Sequence, residues 1–389
     1  MCYKNIEQYM SEIKTPILIA NFKPFRLISR DNLDSWQPSL KEINSSTYDY
    51  VKLHRASKFF DAHLPKPMPA CFGFDGSLIF PFIAEFKNDN LVVEEFNRIL
   101  ASVFLGGIYV ESISPLDISR GSMNMTGYYR HSSTHSSNSD FHRAIGECDA
   151  GSLASIRLLQ PEILEAGKVI SAYNYGHKVL AKLPTLSPSL FISAFTYHRK
   201  HQLREALAHA WIGVEQILEF IWKETIVEDA KSVNIPKRRK FIESQQWNSA
   251  HKIEMLYQQG LIKQELYSSL SKARFARNAF IHKGLTPSYD ETHSVLMSLI
   301  ILVEVASQIN HVDFSRSNLE QYLPEQSKFC IPQTFVPEER NNEALNVQYW
   351  REIKVIPGDE NWEGNYESYP DITLSPIETE AKNKNISFF

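Results

Sequence analysis

Arg277, Asn278 and His282, in the run Arg277-Asn278-Ala279-Phe280-Ile281-His282, are residue types able to act on a phosphodiester. A guanidinium is permanently cationic, and its planar fork of donors matches phosphate oxygens and the extra charge of their transition state. An imidazole exchanges a proton near neutral pH. On a helix, at about 100° per residue, Arg277 and His282 stand about 140° apart, whereas Asn278 and His282 share a face. The geometry improves if the helix ends near His282, and Gly284 and Pro287 supply an ending. The chemistry that suits these groups is RNA cleavage without a metal. The ribose 2′-OH attacks its own phosphate, His282 manages a proton, and Arg277 holds the charged oxygens.

Spacing alone does not single this run out. Arg-x-x-x-x-His also occurs at Arg130/His135, in a Ser/His-rich stretch, and at Arg204/His209. The elements around each copy must decide. Leu266, Leu270, Ala273, Arg277 and Phe280 recur at three- and four-residue steps, which predicts a helix over 264–283 with Arg277 turned partly inward. Upstream, Leu203, Leu207, Trp211, Val214, Leu218 and Ile221 predict one or two long helices over 190–224, with Glu215 at the edge of the apolar stripe. A further helix is expected at 251–262, stopped by Gly260. Another spans 288–310, with Ser288 or Asp290 as its cap.

Together, RNAFIH and the upstream HQLREALAHAWIGVEQILEFIWKE resemble the HEPN family, specifically its Apea-like branch, over roughly residues 190–312. The resemblance implies a helical bundle and an endoribonuclease, usually a homodimer whose two motifs form one composite cleft. Arg277, Asn278 and His282 are then the catalytic residues, and Glu215 supports them from the first helix. No metal and no cofactor are implied. Such enzymes often serve as toxins or anti-phage effectors. The same resemblance admits a second function, a non-catalytic binding or dimerisation module.

RNA needs cations as well as a catalytic pair. Lys237, Arg238, Arg239 and Lys240 make a compact basic run, with Arg274 beside the motif and Arg199, Lys200 and Arg204 on the upstream helices. Such residues position a backbone without reading sequence. The whole chain is not basic: 41 Lys and Arg stand against 45 Asp and Glu, so any nucleic-acid contact must come from local patches. Cys2, Cys71, Cys148 and Cys330 form no C-x-x-C pair, which argues against a zinc ribbon or a disulfide framework. The N-terminus lacks a signal-peptide pattern, and the apolar run VLMSLIILVEVA is broken by Ser298 and Glu304. A cytoplasmic location without membrane contact is the expectation.

The remaining chain frames this helical part, and the overall expectation is an α+β fold. Residues 1–185 read as a mixed α/β sensor or regulatory domain, 186–312 as the HEPN bundle, and 313–389 as an irregular extension holding a strand near 347–357. Within the first part, strands are expected at 16–22, 50–54, 77–86 and 108–115. A helix is expected at 91–107, ending at Gly106-Gly107, and helical structure over 152–183. Leu183–Leu190, rich in Pro and Ser, reads as a hinge, with Ser189 a candidate cap for the next helix. Residues 119–142 read as a flexible polar loop. A third function, a metal enzyme, would use His131, His135 and Cys148 from this region, with Asp140 and His142 nearby.

Overall fold

Short β-branched and aromatic runs between turn residues build the sheet of the first half, and long apolar stripes build the helices of the second. The computed structural model describes residues 14–30, 53–86, 88–134, 162–229, 235–244 and 246–323, and the strands at 349–352 and 374–377. The fold is α+β. The chain divides into two units, Met1–Gln326 and Ser327–Phe389.

In the first unit, β1 (Lys14–Asn21), β3 (Ala56–Phe60), β4 (Ala70–Gly73), β5 (Ser77–Pro81), β6 (Ser119–Asn124) and β7 (Tyr129–Thr134) form an antiparallel sheet in the order β3-β4-β5-β1-β6-β7. Its register sets Ile19 between Ile79 and Ser119. The two outer strands also meet. Arg55 bridges Tyr128, Ala56 N donates to Gly127 O at 2.8 Å, and Tyr129 N donates to His54 O at 3.0 Å. The sheet therefore closes into a small barrel at this end. Because side chains alternate across a strand, Ile17, Ile19, Cys71, Ile79, Met123 and Tyr129 gather on the inner face. Leu18, Ala20, Phe72, Leu78 and Phe80 face outward and join the helical core. A separate parallel pair, β2 (Arg26–Ser29) with β8 (Glu162–Glu165), is tied by the Arg26–Glu162 ion pair.

Three local expectations are corrected here. Residues 108–114 are not a strand, because the Asn97 side chain takes the place of a strand partner. Asn97 Nδ2 donates to Ile113 O at 3.0 Å, and Ile113 N donates to Asn97 Oδ1 at 2.8 Å. Residues 119–134 are not a loop but the β6–β7 hairpin, whose turn is organised by Asn124 Oδ1 accepting from Thr126 N and Tyr128 N. Its polar composition misleads because its inner face carries Ser119 and His131 as well as apolar groups. Residues 162–165 form β8 where helix was expected. His135, Asp140, His142 and Cys148 lie outside the described residues.

The helices are α1 (Asp89–Leu105), α2 (Ala166–Ala181), α3 (Pro188–Arg199), α4 (Leu203–Trp222), α5 (Pro236–Ile242), α6 (Ser249–Gln258), α7 (Gln264–Lys283), α8 (Tyr289–Ile309) and α9 (Ser317–Glu320). α1 ends at Gly106, as expected. The α4 stripe is buried at Leu207, Trp211, Val214, Leu218 and Ile221. Leu183–Leu190 is pinned to α4. Ser187 N donates to Gln216 Oε1, Thr185 Oγ1 donates to Gln216 O, and Ser187, not Ser189, caps α3. One core runs from the outer face of the sheet through α1, α2, α3, α4, α7 and α8.

In the second unit, β9 (Tyr349–Glu352) pairs antiparallel with β10 (Leu374–Ile377). β9 falls within the strand expected at 347–357.

Candidate functional site

The motif helix α7 buries Leu266, Leu270, Ala273 and Ala276 against α4, α6 and α8. Arg277 lies at the border of that stripe and is half-buried. The opposite side is open: Phe275 is 65% exposed and Ile281 53%. The helix stops after His282 and Lys283 because Gly284 takes the left-handed conformation, φ 68°, which costs an ordinary residue about 1–2 kcal/mol. Nothing lies within 4 Å of a Cβ built there, so conformation rather than space requires the glycine. Four residues later Ser288 opens α8 with a capping box. Glu291 N donates to Ser288 Oγ at 3.2 Å, and Ser288 N donates to Glu291 Oε2 at 2.7 Å. Arg204 holds the intervening segment, its Nε donating to Thr286 Oγ1 at 2.9 Å. His282 thus sits at a corner fixed by a glycine cap, a capping box and an arginine.

Arg277 Nη1 donates to Asn278 Oδ1 at 3.1 Å, and no carboxylate among the described residues is within ion-pair distance of Arg277. His282 is exposed and makes no hydrogen bond or ion pair among the described residues. The Arg204/His209 copy of the spacing is different. Arg204 is committed to Thr286, and His209 Nδ1 lies 2.7 Å from Glu205 O inside α4. At the first copy, Arg130 stacks over the Tyr128 ring at 5.4 Å, and His135 is outside the described residues.

The supporting residues are dispersed. Glu215 accepts a 2.8 Å hydrogen bond from Ser249 Oγ at the start of α6 and makes no ion pair with Arg277. Lys237, Arg238 and Lys240 are exposed on α5, while the Arg239 side chain lies outside the described residues. α5 is anchored through Ile242 to Trp222 and Val227, next to the π-helical turn Lys223–Val227 that continues α4. It packs on that turn, whereas α7 packs on α4, α6 and α8. Arg274 is half-buried on α7, with its guanidinium 5.1 Å from the Phe275 ring centre.

The structure adds groups near the same corner that the sequence reading missed. The Tyr289 ring, at the start of α8, lies 4.5 Å from His198 and 5.9 Å from His201, and His293 lies one turn further on. Burial pushes the His198 pKa down to about 4, helped by the charges of His293, His201 and Arg199. The signals were the three-residue step from His198 to His201 and the four-residue step from Tyr289 to His293. Neither joins the two pairs, which only the packing of α3 beside α8 does. Elsewhere, His131 does meet other candidate ligands among the described residues, His54 and Asp75.

Comparison of the chain with protein-family models, curated proteins and solved structures gives no match.

Proposed function

We propose that this protein is a metal-independent endoribonuclease of the HEPN type, with Arg277, Asn278 and His282 as its site. One observation carries the reading. At a capped helix end the chain presents an imidazole without a hydrogen-bond or ion-pair partner among the described residues and, on the same turns, an arginine that none of their carboxylates neutralises. An arginine serving only structure commonly meets an acid or a carbonyl, as the buried Arg26 and the mostly buried Arg98 do here.

In this reading the 2′-oxygen attacks the adjacent phosphorus and the P–O5′ bond breaks, leaving a 2′,3′-cyclic phosphate and a 5′-OH. His282 takes the 2′-OH proton or gives one to the departing O5′, and one imidazole cannot do both at once. A homodimer supplies the second imidazole. Phe275, Ile281 and Leu285, all more than half exposed around the motif, offer apolar surface for such a pairing. Arg277 binds the non-bridging oxygens as charge builds on them. Asn278 orients Arg277 through the hydrogen bond they share. By the family resemblance, the cellular role is that of a toxin or anti-phage effector.

The test is cleavage of total cellular RNA by the purified chain in excess EDTA. Wild type is expected to leave 2′,3′-cyclic phosphate ends, and His282→Ala to cut about 10²–10⁴-fold more slowly. Cutting that survives in His282→Ala but stops with EDTA would sink the proposal. RNA bound but left uncut by both proteins would favour the non-catalytic binding module.

A further inference from the structure

The closed end of the barrel holds a second constellation. His54, in the turn before β3, Asp75, in the β4–β5 turn, and His131, on β7, are 2%, 2% and 5% exposed. Each offers a ligand atom within 4.8 Å of the other two. An ion at the centre of such a triangle would sit at most about 2.8 Å from each atom, so closing in by under about 1 Å reaches the bonds of about 2.1 Å that zinc makes. Two imidazoles and a carboxylate are a familiar ligand set for a divalent transition metal.

The surroundings aim these groups. Ser119 Oγ lies 2.7 Å from His131 Nδ1, leaving Nε2 as the ring nitrogen for a metal. Asp75 Oδ1 accepts from Tyr129 Oη at 2.5 Å and from Ser77 N at 3.0 Å. Its other oxygen, Oδ2, stands 3.9 Å from His54 Nε2 and 3.5 Å from Asn21 Nδ2. The His54 ring stacks on Tyr129, with centroids 5.5 Å apart. Room for the Tyr129–Asp75 contact comes from Gly73, where a Cβ would stand 2.0 Å from Tyr129 Oη. Hydrogen bonds of this kind fix ligand orientation around metals.

We infer that His54, Asp75 and His131 bind one divalent transition-metal ion, zinc by ligand preference, which ties the turn before β3, the β4–β5 turn and β7 together where the barrel closes. The ion is structural. All three ligands are buried, and they sit on strand β7 and the turns of the sheet, whereas α7 packs on other helices. The inference is independent of the ribonuclease reading.

The experiment uses the full chain, stripped with chelator and desalted, then given zinc or cobalt. Metal content, the cobalt ligand-field spectrum and thermal melting are measured for wild type, His54→Gln and His131→Gln. A control, His63→Gln with His177→Gln, removes a stacked histidine pair outside the proposed site, whose ring centroids are 4.1 Å apart. Expected are one ion per chain and a raised melting temperature in wild type and control. The two ligand variants should bind at least about 100-fold more weakly, beyond the usual effect of an outer-shell change. Should those variants not fold, X-ray absorption of the zinc-loaded wild type decides: two imidazoles without sulfur support the site, and fewer than two overturn it. A folded wild type that binds no metal and melts at the same temperature with or without it, or ligand variants that bind as wild type does, would also overturn it.

Discussion

His198 shows how one buried side chain gives the molecule a pH dependence. Its imidazole is 3% exposed, packed on Tyr289, and its pKa is pushed from 6.5 to about 4. In the unfolded chain the ring takes a proton near 6.5, so between that pH and about 4 the unfolded state binds more protons. Stability is then full above about pH 6.5 and falls as the pH drops toward 4, by on the order of 3 kcal/mol. Urea midpoints measured between pH 4 and 7 should show this slope, and His198→Phe should flatten it. Among the motif residues, the identities were legible in the sequence: an arginine and a histidine near a helix end. Their partners were not. Glu215 lies on the expected helix, yet its side chain is engaged by Ser249, because α6 begins beside it.

At the scale of elements, the end of α7 is set by conformation. Gly284 at φ 68° lets its own N–H return to Phe280 O at 3.0 Å and turns the chain toward α8. Gly284→Ala should cost about 1–2 kcal/mol and displace His282 relative to the segment that Arg204 holds. Cleavage should therefore fall further than melting predicts. A variant that loses stability but keeps full activity would show that the corner does not position His282. The helices were readable because their apolar steps repeat over many residues, and the caps at Gly284 and Ser288 were readable as residue types. The hairpin at 119–134 was not. Half of its inner-face residues are polar, and their reason for being inside is the cluster around Asp75, some fifty residues away in sequence.

At the scale of the molecule, the helical part does not stand apart from the sheet. On α1, Phe104 packs against Phe195 and Phe191 of α3, at centroid distances of 4.8 and 6.1 Å, and Leu183 and Leu186 are buried in the same core. A fragment of residues 186–312 would expose Phe191, Ile192 and Phe195, so it should aggregate or melt far below the full chain. Soluble yield and circular dichroism of the fragment test this, and a stable fragment that does not aggregate would refute it. The proposed dimer is tested on the exposed face of α7. Phe275→Asp combined with Ile281→Asp should leave the melting temperature unchanged, convert a dimer to a monomer by light scattering, and abolish RNA cleavage.

The sequence by itself determined the local matters: an α+β chain, the long helices with their buried stripes, the end of α7, and a motif whose residue types suit phosphodiester chemistry. Each depends on residues a few positions apart, where helical geometry and capping act directly. Only the tertiary structure decided that the sheet curls until Arg55 meets Tyr128, and that His54, Asp75 and His131 converge. Those outcomes join residues separated by twenty to eighty positions. Their meeting is fixed by strand register and by the requirement that buried polar groups find partners, and neither leaves a periodic trace along the chain.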